Sequence, residues 1–214
     1  MKEKIEDKKY RAKKIVSILK KEYPEAKTKL IFENPFQLLI STILSAQCTD
    51  DRVNIVTKDL YKKYKTASDF AGASLTDLEK AVYSTGFYKA KAKKIKECSA
   101  SILEKFNGKV PDNMDDLLQL EGVGRKTANV LLASAFSKPA IPVDTHVKRL
   151  SNLLNLAEES HPDKIEFELM DVIDKKDWVL FSDLMMAHGR KICNAKKPKC
   201  KECKIFDYCP SGKI

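Results

Sequence analysis

Apolar residues along the chain recur at helical spacing, and no stretch alternates strictly as a half-buried strand would. Residues 9–23 set Ile15, Val16, Ile18 and Leu19 among lysines, which predicts an amphipathic helix ended by Pro24. Residues 34–47, "NPFQLLISTILSAQ", are apolar almost all round. Asn34 is a candidate N-cap and Pro35 fits the first helical position, so this segment is expected to be the central buried helix. An amphipathic helix is expected over 51–64, a short helix capped by Ser74 or Thr76 over "SLTDLEKAVYST", and a long basic helix from the glycine turn at Gly86 to Asn107-Gly108, with "TASDFAGA" as a connector. "PDNMDDLLQL" reads as a short helix, "EGVG" as a tight turn and "RKTANVLLASAF" as the next helix. "SKPAIPVD" breaks the pattern with two prolines and marks a crossing between domains. Three more helical segments follow, "THVKRLSNLLNL", "DKIEFELMDVI" and "DWVLFSDLMMAHGRKI". The remaining residues, from Cys193 onward, have no period and cannot form a packed helix. The expected fold class is all-α.

Composition narrows the function classes. A hydrophobic content of 43% in 214 residues supports a sizeable core and argues against disorder. Seven glycines are few for this length, which again favours helices. The formal net charge of +10 suits a polyanionic partner, of which nucleic acid is the commonest for a soluble chain. No apolar run reaches the roughly 18 residues of a membrane span. The first residues mix acids with lysines and read as neither a signal nor a transit peptide, so a cytoplasmic, nucleoid-associated protein is expected. Stable disulfides are rare in that compartment, so six cysteines ask for another explanation. Cys48 and Cys98 fall in apolar helical settings and are expected to be buried thiols.

Residues 115–136 read as helix, four-residue turn, helix. Gly122 and Gly124 let backbone N–H groups approach an anion closely, and the following helix adds its own N-terminal N–H groups and dipole. Such a turn grips a phosphate without reading a base. Gly122, Val123, Gly124, Arg125 and Thr127 are the expected contacts of this helix-hairpin-helix pattern. Lys126 stands beside Arg125 in the positive field of a helix start. That field disfavours the ammonium form, and a neutral amine is a nucleophile. Asp144 precedes "THVKRL" as a good N-cap. His146 is expected to be structural or phosphate-facing, while His161 and His188 have no constellation around them. Phe87 follows a glycine turn and is a candidate wedge for a base stack, with Lys89 and Lys91 beside it as candidate phosphate contacts.

Cys193, Cys200, Cys203 and Cys209 lie six, two and five residues apart, among five lysines and two acids. Four thiolates at this spacing can enclose one soft-metal centre, and from chemistry alone zinc and an iron–sulfur cluster compete.

"LEGVGRKTANVLL", "PVDTHVKRL", "LLISTILSAQCTDDRVN", "TGFYKAKAKKI" and the cysteine tail together resemble the endonuclease III family of DNA glycosylases with lyase activity. The likeness runs from about residue 34 to 209. It implies the helix-hairpin-helix glycosylase fold with two helical domains, 28–138 and 1–27 plus 139–214, the second carrying a [4Fe–4S] loop over 193–209 held by the four cysteines. It implies an active site in the cleft between the domains, with Lys126 attacking C1′ of a damaged nucleotide and forming a Schiff base that leads to β-elimination. Asp144 would be the second catalytic residue, and Gln47 the residue that fills the gap left by an extruded nucleotide. Relatives often carry leucine where Phe87 stands. The implied partner is duplex DNA with oxidised pyrimidines or abasic sites, bound by a monomer. A monofunctional mismatch glycosylase is the alternative within the superfamily, and Lys126 argues against it. A noncatalytic DNA-binding module is the alternative outside it, and the Lys126–Asp144 pair argues against that.

Overall fold

A computed structural model describes residues 3–213, and every regular element among them is helical. Helix α1 (Ile5–Glu22) turns Ala12, Ile15, Val16 and Leu19 inward at the i, i+3, i+4, i+7 spacing that lines one face. It begins a turn earlier than the apolar pattern suggests, because Glu6 and Asp7 sit at the positive end of the helix dipole and support that turn. Helix α2 (Pro35–Leu44) is buried from Phe36 to its last residue. The Asn34 side chain accepts the Gln37 N–H at 3.0 Å, and Pro35 lacks the N–H that would otherwise be orphaned there.

Helix α3 (Asp50–Lys63) follows Thr49, whose hydroxyl accepts the Arg52 N–H. The stretch expected to be a connector contains helix α4 (Ala67–Gly72). Thr66 and Asp69 form a reciprocal capping box, and Ala67 and Phe70 are buried, which together hold a helix too short to stand on propensity. Helices α5 (Leu75–Val82) and α6 (Tyr88–Phe106) come next. Ser74 occupies the cap position of α5 without a side-chain cap bond. Helix α7 (Met114–Leu117) is a single turn capped by Asn113, and α8 (Arg125–Ser134) follows the glycine turn. The chain then forms α9 (Thr145–Leu153), α10 (Pro162–Val172) and α11 (Trp178–Lys191), and ends in short 3-10 turns.

The chain divides into two units, Lys29–Phe136 and the residues up to Thr28 together with those from Ser137 onward. In the first, α6 carries α4 and α5, and α2 packs on α3, α6 and α8. The buried α2 thereby supports the helix that carries Lys126. In the second, α1 packs on α10 and α11, and α11 packs on α9. Ile15, Leu19, Val147, Leu150, Phe181 and Leu184 form its core together with Ile205 of the cysteine loop. Burial of each such side chain contributes about 1.5–3 kcal/mol. Arg11 adds a polar staple, donating to the carbonyls of Leu154, Asn155 and Tyr208 and thus tying α1 to the end of α9 and to that loop. No helix among the described residues is long and apolar enough to cross a membrane.

Candidate active site, DNA-contacting loops and cysteine cavity

The two glycines of the hairpin do different things. Gly122 has φ +76°, a left-handed conformation that disfavours side chains, and a Cβ there would meet the methylenes of Lys94 at 3.5 Å. Gly124 is extended, at φ −95°, and forms the N-cap of α8 without a side chain to satisfy that helix's first N–H groups. A Cβ at Gly124 would meet nothing within 4 Å, so the space in front of the helix start is open. Val123 was expected among the DNA contacts. Its side chain is buried and its N–H already donates to Leu120 O at 3.1 Å, so its part is to anchor the turn. Arg125 and Thr127 are half-buried in the first turn of α8, and Lys126, its second residue, is exposed.

Three non-glycine residues of the same unit have positive φ, Gln47 at 52°, Phe87 at 47° and Asn107 at 51°, the last at the C-cap of α6. Such backbone is strained, costing about 1–2 kcal/mol. Gln47 is exposed, and Phe87 is 66% exposed, which removes ordinary core packing as the reason for an aromatic residue there. Lys89 is exposed. Lys91 departs from expectation. It is 4% exposed, and its Nζ donates to Thr85 O at 2.7 Å, so it faces the inside of the Phe87 turn and not solvent. Cys98 is buried, as expected, and burial pushes its thiol up to about 12. Cys48 is half-buried, because α2 ends at Leu44 and leaves it in the following turn.

Asp144 is the N-cap of α9. Its Oδ1 accepts the Val147 N–H at 2.7 Å, which fixes the carboxylate and leaves Oδ2 for other work. His146 is half-buried with Nδ1 enclosed and without a hydrogen-bond partner. It packs so closely on α11 that a Cβ at Gly189 would come within 2.8 Å of Nδ1, so a phosphate has no route to that nitrogen. Asp183 of α11 is a neighbour that the sequence did not single out. Burial pushes its carboxyl up to about 6, the Asp144 charge pushes the same way, and Arg190 opposes both.

The four cysteines of the tail line one open pocket, walled by Leu150, Leu154, Ile192 and Phe206. Among the described residues, no three His, Cys, Asp or Glu side chains converge closely enough to hold a single metal ion. Four cysteines around one apolar pocket are a donor set that fits a soft-metal centre. Two side-chain nitrogens reach the sulfurs. Arg149 Nη1 lies 3.7 Å from Cys193 Sγ while its Nη2 donates to Cys193 O at 2.6 Å, and His188 Nε2 lies 3.6 Å from Cys203 Sγ. Tyr23 Oη meets the other ring nitrogen of His188 at 3.1 Å. Were Cys203 a ligated thiolate, which can only accept, Nε2 would carry the proton and Nδ1 would accept from the tyrosine.

The profile of HhH-GPD superfamily base excision DNA repair proteins matches residues 40–175. The endonuclease III of Synechocystis sp. is 49% identical over 210 residues, 98% of this chain and 96% of that protein. The Bacillus subtilis endonuclease III is 42% identical over 89% of this chain and 87% of its own. The chain belongs to the endonuclease III family. It is thereby a base excision repair DNA glycosylase with abasic-site lyase activity. A solved non-covalent endonuclease III–DNA complex superimposes with a TM-score of 0.91 at 41% identity, covering 96% of both chains. A thermostable thymine-DNA glycosylase, 24% identical with a TM-score of 0.85, shares the fold.

Within this endonuclease III framework the sequence reading missed residues whose partners are distant in the chain. His188 looked isolated because Tyr23 and Cys203 reach it from α1 and from the tail. Arg149 and Gly189 are likewise defined only by what packs against them. His161, the third histidine, caps α10 through Nδ1 and the Asp163 N–H.

Proposed function

We propose that the chain removes oxidised pyrimidines of the thymine glycol type from duplex DNA, acting as a monomer, and cleaves the strand 3′ to the lesion. The observation that carries this reading is the start of α8, where an exposed Lys126 follows an uncapped helix terminus in front of open space. In this reading Gly122, Gly124, Arg125 and Thr127 hold the phosphates by N–H groups and charge, with Lys89 adding a contact. The damaged nucleotide leaves the stack, Gln47 fills the gap and Phe87 wedges the neighbouring step. The Lys126 amine bonds to C1′ as the C1′–N bond to the base breaks, and the base departs with a proton. The sugar ring opens to an imine. Loss of a C2′ proton then expels the 3′ phosphate, which is the β-elimination step. Asp144, held through Oδ1 by its own helix, takes the proton from the incoming amine or offsets positive charge on the sugar through Oδ2.

Cys193, Cys200, Cys203 and Cys209 hold a [4Fe–4S] cluster in this proposal, and the cluster organises the lysine-rich loop that carries them. The reaction needs no electron from it. Incision of a duplex with one thymine glycol is the test, beside a duplex with an A·G mismatch. Incision of the first alone is expected. Base release without incision would put a monofunctional enzyme in place of this reading. Absorbance at about 400 nm with about four irons per chain is expected of the purified protein, and one zinc per chain would overturn the cluster assignment.

A further inference from the structure

Lys91 is placed where an ammonium gains least. It lies in the first turns of α6, at the positive end of the helix dipole, and is 4% exposed. Burial accordingly pulls its pKa down, and the nearby Cys48 sulfur partly restores the charged form. A neutral donor would satisfy one carbonyl at lower cost, so retention of a cation here needs a reason.

What it touches supplies one. Its Nζ donates to Thr85 O at 2.7 Å. Thr85 is itself buried, with its hydroxyl donating to Val82 O at 2.8 Å, so this carbonyl belongs to a fixed point of the fold. The next two residues are both left-handed, Gly86 at φ 71° and Phe87 at φ 47°. One buried charge thus stands directly behind the segment that carries these two residues. Strained backbone persists only where its surroundings over-determine it.

We infer that the Lys91 ammonium is a brace behind the Phe87 loop, holding it in the left-handed backbone that leaves the phenyl ring exposed to wedge into a duplex. Lys91 is a positioning residue, and its role rests on the proposed function of that tip. A brace for a wedge matters on duplex DNA and not on a single strand, where there is no stack to wedge.

The test compares the wild-type holoprotein with Lys91→Met, Phe87→Ala and the double variant, measuring kcat/KM for abasic-site incision in duplex and in single-stranded DNA. Lys91→Met is expected to lose about ten- to hundredfold on duplex, since small misplacements of positioning groups cost that much. It should lose less than about twofold on the single strand, where that positioning is not used. In the Phe87→Ala background it should add little, because the tip it braces is gone. Lys91→Gln, which keeps a donor without the charge, serves if the methionine variant does not fold, with the same expected pattern. Equal losses on both substrates, full additivity with Phe87→Ala, or an unchanged duplex rate would overturn the brace. Wild-type protein inactive on both substrates would instead overturn the functional reading, and the brace with it.

Discussion

Helices α8 and α9 begin in opposite ways. At α9 the Asp144 carboxylate accepts the Val147 N–H, so the helix satisfies its own terminus and gains a negative charge where its dipole favours one. At α8 the cap is a glycine without a side chain, and the first two helical residues are Arg125 and Lys126, cations at the end where the dipole disfavours them. The α9 start has a side-chain cap within the protein. The α8 start has none, and in the proposed function a DNA phosphate in front of Gly124 meets its N–H groups. Local stability is forgone at one terminus and kept at the other. In the proposed function the cationic terminus carries the nucleophile, and the capped one carries the second catalytic carboxylate.

Four substitutions break or sharpen this contrast. Lys126→Gln should remove strand incision by about a thousandfold or more, as loss of a covalent nucleophile does, while binding to a lesion duplex persists. Gel incision beside a binding titration measures both. Asp144→Asn keeps an oxygen to cap α9 and should cost less than about 1 kcal/mol in thermal unfolding. Single-turnover base excision should nevertheless fall by about a hundredfold or more, since the charge is gone. A large loss of stability with unchanged excision would reverse the roles assigned to that carboxylate.

Asp183 tests the surroundings of Asp144 by pH. Its folded pKa is raised from 3.8 to about 6, so between those values the folded state holds a proton that the unfolded state releases. Its contribution to stability is therefore most favourable at low pH, declines as pH rises through about 6, and stays unfavourable above that. Asp183→Asn should raise stability at pH 7 by about 1–3 kcal/mol and flatten that part of the pH profile. Denaturant melts at pH 4, 5.5 and 7 check it. Gly124→Ser is the smallest change. The backbone is extended and the space open, so serine should cap α8 and stabilise the protein by a few tenths of a kcal/mol. It should also weaken DNA binding, because the hydroxyl occupies the N–H groups a phosphate would use. Gain on both counts would contradict the account of that terminus.

The contrast was half legible in the sequence. Asp144 before an apolar-periodic helix and Gly-Val-Gly before a basic one are local signals, and local chemistry sets both termini. The long helices were legible for the same reason, since their apolar period is written in consecutive residues. Helix α4 was not, because six residues hold less than two turns of period. Its Thr66–Asp69 box was the available signal. Lys91 read as a candidate phosphate contact in a basic helix, and only the phase of α6 against the Thr85 turn turns it inward. His188 depends on partners at 23 and 203, which no window of sequence brings together. Phe87 showed its apolar character in the sequence, but its exposure depends on a left-handed φ that phenylalanine does not advertise.

The most direct measurement is borohydride reduction of the wild-type protein on an abasic-site duplex, followed by peptide mapping of the adduct. The account predicts one covalent DNA adduct per chain, on the peptide containing Lys126, and none for Lys126→Gln. An adduct on any other lysine, or equal trapping by the variant, would contradict the assignment of the α8 terminus as the seat of the nucleophile.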